Sequence, residues 1–386
     1  MEKNKLRNTN LLLQWVIFLA INIWFVCKYF PRVGLSPVLS SLIYIAVTTS
    51  LAWVYIRKIQ PHISARFARN SVICLLVFFA AIIALALIYI PPLSIQVDRW
   101  SATTYFINAL FSGEYPYGVH THVSETNFPS PFPLWHYINI PFWALGDVGW
   151  QLIFFLLVFI AAVYYYSRSW QTTLTILLLM AISPAYWWEI ATRSDGLSNA
   201  LLVISLILFM EHYPIRMNNR WWQIALIAGC VASTRLSAII PMALYLFRPW
   251  LEIDWKRKIG FILIAASVVI LAFLPYILWD TDTWIFFQRN PFMSQTSPGN
   301  RWLLLTMVVI AIIIAAQKQS FKRFLATTSA FMFFFMLVSQ LGYAHTTGIW
   351  SLLSSPCFDV SYFTLALPYC LLSLTEENDF VERHSF

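Results

Sequence analysis

Apolar residues in this chain fall into runs, most of them long enough to matter on the scale of a bilayer, where a helix needs about 20 residues to cross the hydrocarbon core. The runs cover Leu11–Phe30, Pro37–Ile56, Val72–Ile90, Trp150–Tyr166, Thr173–Trp188, Leu197–Phe209, Trp222–Val231, Leu236–Phe247, Ile259–Trp279, Trp302–Ala316, Phe324–Tyr343 and Phe358–Leu374. The pattern predicts an all-α, polytopic transmembrane bundle of about 12 helices. The seventh and eighth runs are short and read either as two helices or as one interrupted near Arg235. No internal repeat or inverted symmetry interrupts the pattern, so residues 1–386 are read as a single membrane domain.

Only one connection is both long and hydrophilic, residues 93–149. Asp98 stands just past the third run. The stretch Trp100–Phe111 has the spacing of an amphipathic helix lying along a membrane surface. Gly113, Pro116 and Gly118 mark a turn, and Pro129, Pro131 and Pro133 exclude a regular helix before a second interfacial helix at Trp135–Leu145. This is the pattern of a folded loop rather than a linker.

Composition sharpens the class. The 386 residues are 59% hydrophobic and 11% charged, against roughly 25% charged in a soluble domain; the mean hydropathy is +0.67. A soluble protein is excluded. The net charge of +8 marks cytoplasmic loops rather than nucleic-acid affinity. With the N-terminus in the cytoplasm and twelve crossings, the outer side holds only Lys28, Arg32, Arg99, Arg193, Arg235, Arg289 and Arg301 of the 25 Lys and Arg. That arrangement makes both termini cytoplasmic and puts 93–149 outside. Merging the two short runs would put the Arg248–Lys258 cluster outside as well, so the split version is preferred. The Lys3, Lys5, Arg7 cluster precedes a first spanning helix, with no cleavage site in view. The five cysteines lie in or beside apolar runs and read as small buried hydrophobes.

An acid at a membrane boundary followed by a folded loop suits glycosyl transfer from a lipid-phosphate donor. That chemistry needs a carboxylate to take the acceptor proton, cations to hold the departing phosphate, and a groove open to lipid. Asp98 is the candidate general base, set against a plain surface pair with Arg99. Arg193 and Arg235 are the candidate phosphate ligands, because a guanidinium among apolar helices is costly without a partner or ligand. Arg193 has the alternative of pairing with Asp195 or Glu189, whereas no acid lies near Arg235 in the sequence. His120, His122 and Glu125 have a spacing that reads as exposed loop residues rather than a metal site; no metal and no cofactor are expected. His345 and Asp359 flank the last run as candidate substrate contacts.

Asp98, Tyr105, Gly113-Glu114-Tyr115-Pro116-Tyr117 and Asn127-Phe128-Pro129-Ser130-Pro131 together resemble the first outer loop of GT-C type glycosyltransferases, in particular the polyprenyl-phosphate-mannose-dependent mannosyltransferases of bacterial envelope synthesis. Arg235 before the Pro-containing segment Leu236–Phe247, and Asp359-Val360-Ser361-Tyr362-Phe363, resemble the basic residue and closing helix of that family. The resemblance implies a GT-C fold, inverting transfer of a hexose, mannose by default, Asp98 as general base and Arg235 at the donor phosphate. It implies substrate contacts among Tyr117, His120, His122, Glu125, Asn127, Asp195, His345, Asp359 and Tyr362. The partners are a polyprenyl-phosphate sugar donor, a lipid or glycan acceptor and membrane lipids, in a bacterial inner membrane. Two departures stand out: the family's aspartate follows the first helix, whereas here about two further apolar runs come before its equivalent, and Arg99 follows Asp98 directly. The rival readings are an oligosaccharide polymerase or ligase acting on lipid-diphosphate glycans, and a transporter or flippase.

Overall fold

The computed structural model describes residues 2–213, 215–296, 301–355 and 358–375; Arg383 and Cys357 lie outside them. Described residues are helical or connecting, with no strand among them. In chain order the helices are α1 (Glu2–Tyr29), α2 (Pro37–Val54), α3 (Ala65–Tyr89), α4 (Arg99–Ser112), α5 (Pro133–Ala144), α6 (Gln151–Ser167), α7 (Trp170–Ala181), α8 (Pro184–Ala191) and α9 (Asp195–His212). After them come α10 (Met217–Ala232), α11 (Leu236–Glu252), α12 (Trp255–Ile277), the short α13 (Ile285–Gln288) and α14 (Pro291–Thr296), α15 (Arg301–Ala316), α16 (Phe321–Thr347) and α17 (Leu367–Thr375).

Each of the twelve apolar runs falls on helix. By length and composition seven of the described helices can cross a membrane, or eight if the bent pair α7 and α8 is one span. The chain is an integral membrane protein. Two expected spans change form. Thr173–Trp188 is broken by 71° between Ala181 and Pro184, because Pro184 cannot continue the hydrogen-bond ladder and Ser183 caps a new helix by accepting from the Tyr186 amide. Phe358–Leu374 starts with Asp359 as a cap on a 3-10 segment, Val360–Ala366, and becomes α-helical only at Leu367. The two short runs are separate helices, α10 and α11, with a break at Ser233–Arg235.

Serine or aspartate caps recur at these starts: Ser36, Ser64, Ser169, Ser194, Asp254 and Ser320 each accept an amide proton from the first turn. Burial separates centre from periphery. In α9, 67% of the apolar window is buried in protein, against 11% in α2 and in α12. The outward faces of α2, α3 and α12 carry Val38, Leu42, Val77, Ile262 and Leu271, side chains that only an apolar surrounding accommodates at such density. At the centre α6 packs along α9, and towards the periphery α10 packs along α12. The second contact is close because Gly229 has no Cβ: one there would sit 2.8 Å from the Ala265 carbonyl oxygen.

The loop 93–149 is folded as expected, with α4 and α5 as its two helices. α4 is not a surface float, however. Ser101, Ala102, Thr103, Phe106 and Ile107 are buried, and Phe106 stacks on His136 of α5 at 3.6 Å between ring centroids. The loop is fastened to the bundle by backbone: the Phe132 and Leu134 amides donate to the carbonyls of Thr234 and Ser233, in the α10–α11 break.

Candidate functional site

One end of the bundle collects most of the charged side chains that are buried. It is where α1 and α8 finish and α4, α9, α11 and the Val360–Ala366 segment begin, so unpaired helix-terminal groups and polar side chains meet there. Arg99, in the first turn of α4, reaches across two other elements. Its Nη1 donates to Glu189 Oε2 at 2.7 Å and to Ser194 Oγ at 3.0 Å, and its Nη2 donates to Asp359 Oδ2 at 2.6 Å. Ser194 Oγ also accepts the Leu197 amide at the start of α9, which locks it between helix cap and guanidinium.

Beside this cluster Arg235, the residue before α11, forms an ion pair with Asp195 at 2.5 Å. The Nε of Arg235 is buried and has no hydrogen-bond partner among the described residues. Arg235 and Tyr362 line a cavity of about 380 Å³ whose remaining wall is mostly apolar, with Ile239, Ile240, Val308, Ala311, Phe331 and Phe335. Ser130, from the loop fastened to the α10–α11 break, completes the polar end. Tyr362 lies within electrostatic reach of Asp359, Arg235, Arg99 and Asp98, so the charged cluster and the apolar cavity share a border.

Asp98 directly precedes α4 but does not cap it, and among the described residues its carboxylate has no hydrogen bond or ion pair to another residue. Burial pushes the Asp98 carboxyl above the usual carboxylate value; Arg99 pulls it back, while Asp359 and Asp195 push it up. Asp359 behaves oppositely. Burial opposes its charged form, but Arg99 and the Ser361 amide hold its carboxyl below the ordinary value. Asp98 is therefore the acid of the cluster that no arginine holds, whereas Glu189, Asp195 and Asp359 are each committed to a guanidinium.

The expected site residues divide. Asp98, Asp195, Arg235, Asp359 and Tyr362 come together. Arg193 does not join them. Its side chain is 1% exposed, with Nε donating to Asp147 Oδ2 at 2.8 Å and Nη2 to the carbonyls of Leu87 and Ile90. Its partner is neither Asp195 nor Glu189, both of which are taken by other arginines. Arg193 also holds the left-handed conformation, φ +53°, at the end of α8. The Ser194 amide there donates back to the Glu189 carbonyl and the Arg193 amide to the Ile190 carbonyl, a helix stop usually built on glycine.

Tyr117 is a core residue, 1% exposed, donating to the Pro131 carbonyl at 3.1 Å and packed edge-on against Phe106 and Tyr276. His122 is likewise committed: Nδ1 meets Ser101 Oγ at 2.7 Å and Nε2 the Ile95 carbonyl at 3.0 Å, which ties the loop to α4. His120, Glu125, Asn127 and His345 are exposed, and no hydrogen bond or ion pair joins their side chains to the cluster. Among the described residues no group of three His, Cys, Asp or Glu is arranged to hold a metal.

Sequence reasoning passed over Arg99 as a site residue and took Glu189 only as a partner for Arg193. The signal was present: Glu189 is an acid in an otherwise apolar helix, where an unpaired charge is costly. It also passed over Lys28, buried at the end of α1, whose ammonium donates to the Phe358 carbonyl next to Asp359. No family model, no curated protein and no solved structure matches this chain.

Proposed function

We propose that this protein is a membrane glycosyltransferase that moves a sugar from a polyprenyl-phosphate donor to a lipid or glycan acceptor, with Asp98 as general base. The observation that carries the reading is the shared border of an unpaired carboxylate, a partly unpaired guanidinium and a lipid-sized apolar cavity. Asp98 takes the proton of the acceptor hydroxyl as its oxygen attacks the anomeric carbon. The bond from that carbon to the phosphate oxygen breaks, and the polyprenyl phosphate leaves with the electron pair. Arg235, through its free Nε, meets the phosphate; the prenyl chain occupies the cavity along α11, α15 and α16. A single displacement inverts the anomeric centre.

With this reading goes a GT-C-like arrangement of twelve crossings, the 93–149 loop on the outer face of a bacterial inner membrane, and mannose as the default sugar. The likeness of the loop to GT-C mannosyltransferases supports it. So does the gathering of charges at helix ends rather than mid-span, which fits a surface-facing reaction better than a transport path.

The test is transfer by purified protein from a panel of radiolabelled polyprenyl-phosphate sugars to a lipid and glycan extract. Label appearing in a new product with one donor supports the reading. Monodisperse protein that transfers from none of them returns the choice to a lipid-diphosphate polymerase or ligase, or to a transporter.

A further inference from the structure

Four carboxylates crowd the charged end, Asp98, Glu189, Asp195 and Asp359, and two guanidiniums answer them. Arg235 is matched one to one with Asp195. Arg99 is matched to two acids at once, and those acids come from different parts of the fold: Glu189 from α8, and Asp359 from the cap of the closing 3-10 segment. The Arg99 side chain is 12% exposed and that of Glu189 1%, so neither charge has water to fall back on. Glu189 Oε1 has no hydrogen-bond partner among the described residues, which leaves Arg99 as its chief source of stabilisation. The other charged or titratable groups facing this pair are Asp98, Asp195, Tyr29 and Tyr362 on the acidic or aromatic side and Lys28, Arg32 and Arg235 on the basic side, of which Lys28 also acts on Asp359.

We propose that Arg99 is the fixed internal cation of this site, a positioning residue that holds Glu189 and Asp359 as neutralised partners and leaves Asp98 alone available to an incoming hydroxyl. The proposal rests on the glycosyltransferase reading for the meaning of Asp98, and goes beyond it by assigning the residue that makes one carboxylate of four the base. Arg99 is adjacent to Asp98 in the chain but its guanidinium is turned to the other two acids. Arg99 draws the Asp98 carboxyl down while Asp359 pushes it up, so without the guanidinium Asp98 would hold its proton more tightly. A lysine in this place would keep the charge and lose the planar fork that spans two carboxylates.

The test reads the proton on Asp98 directly and needs no turnover. Dicyclohexylcarbodiimide modifies protonated carboxyls in apolar surroundings, and peptide mass spectrometry locates the adduct, so labelling against pH yields a midpoint for Asp98. Arg99→Gln is expected to move that midpoint upward by about one pH unit or more, and Arg99→Lys by less than half of that. An unchanged midpoint in Arg99→Gln, or an equal shift in both variants, overturns the proposal. If Arg99→Gln does not stay monodisperse, the triple variant Arg99→Gln, Glu189→Gln, Asp359→Asn removes the acids along with their cation. Recovered folding with an Asp98 midpoint near that of the wild type supports the proposal, and failure to recover overturns it. Donor transfer is scored separately: a null donor panel with the expected labelling shift sinks the glycosyltransferase reading and spares Arg99, whereas transfer without a labelling shift does the reverse.

Discussion

Arg193 and Arg235 stand at opposite ends of the same comparison. Each is an arginine at a helix boundary, each is paired with an aspartate, and each was a candidate for the donor phosphate, Arg193 alone with acids nearby in the sequence. The Arg193 pair is closed. Two backbone carbonyls join Asp147 around the guanidinium, and the side chain is almost wholly buried. The Arg235 pair is open, with Nε unpartnered and the apolar cavity alongside. A buried ion pair thus serves two ends, and what separates them is the share of donors already spent inside the protein. Three of the interactions around Arg193 stitch α3, the 93–149 loop and the α8 stop into one knot, a structural task.

The comparison breaks most visibly with Arg193→Ala. Asp147 loses its partner and two carbonyls lose their donor, so we expect a loss of about 3–5 kcal/mol, read as a lowered thermal unfolding midpoint or aggregation in detergent. Charge-neutral doubles sharpen it. Arg193→Gln with Asp147→Asn should leave the donor KM within about twofold of wild type, while Arg235→Gln with Asp195→Asn should raise it tenfold or more, equivalent to about 1.4 kcal/mol of lost binding. Equal effects from the two doubles would erase the distinction. Gly149→Ala probes the closed knot more gently: its Cβ would stand 2.3 Å from Leu87 Cδ2 and 3.0 Å from the anchored Arg193 side chain. A destabilisation of about 1–3 kcal/mol is expected, with turnover per folded molecule unchanged. On the open side, Ala311→Phe narrows the cavity and should lower donor kcat/KM by about three- to tenfold. A water-soluble donor with a truncated tail should be affected less, since it makes less use of that wall.

The expected titration also differs between the regions. A base works only when deprotonated, and burial raises the Asp98 pKa above the usual carboxylate value. Transfer should therefore fall as pH drops through a point above the usual aspartate range, which begins from about 4. The acid limb of a pH–rate profile checks this; a limb at or below about 4 contradicts it.

The helices were legible because a bilayer demands length and apolarity, and both are local properties of the chain. The bend between α7 and α8 was missed, because a hydropathy run does not register the capped restart that Ser183-Pro184 makes. Asp98 was singled out by its place at a membrane boundary before a folded loop. The pairings were not legible, since Arg99 and Asp359 are 260 residues apart and Arg193 and Asp147 are 46 apart. Local spacing offered Arg193 two nearby acids, Glu189 and Asp195, and the fold used each of them elsewhere. Tyr117 misled for a related reason: a turn motif rich in Tyr, Gly and Pro has the same composition whether its ring faces a ligand or, as here, packs against Phe106 and Tyr276.

The most direct test of the central claim is single-turnover transfer by Asp98→Asn beside the wild type, with the accepted polyprenyl-phosphate sugar and matched monodisperse samples. The substitution keeps the shape and removes only the ability to accept a proton. A fall in rate of at least about a hundredfold, the size of a general-base contribution, with donor binding retained, is the predicted result. Turnover within a few-fold of wild type would contradict Asp98 as the base and, with it, the account of how this site works.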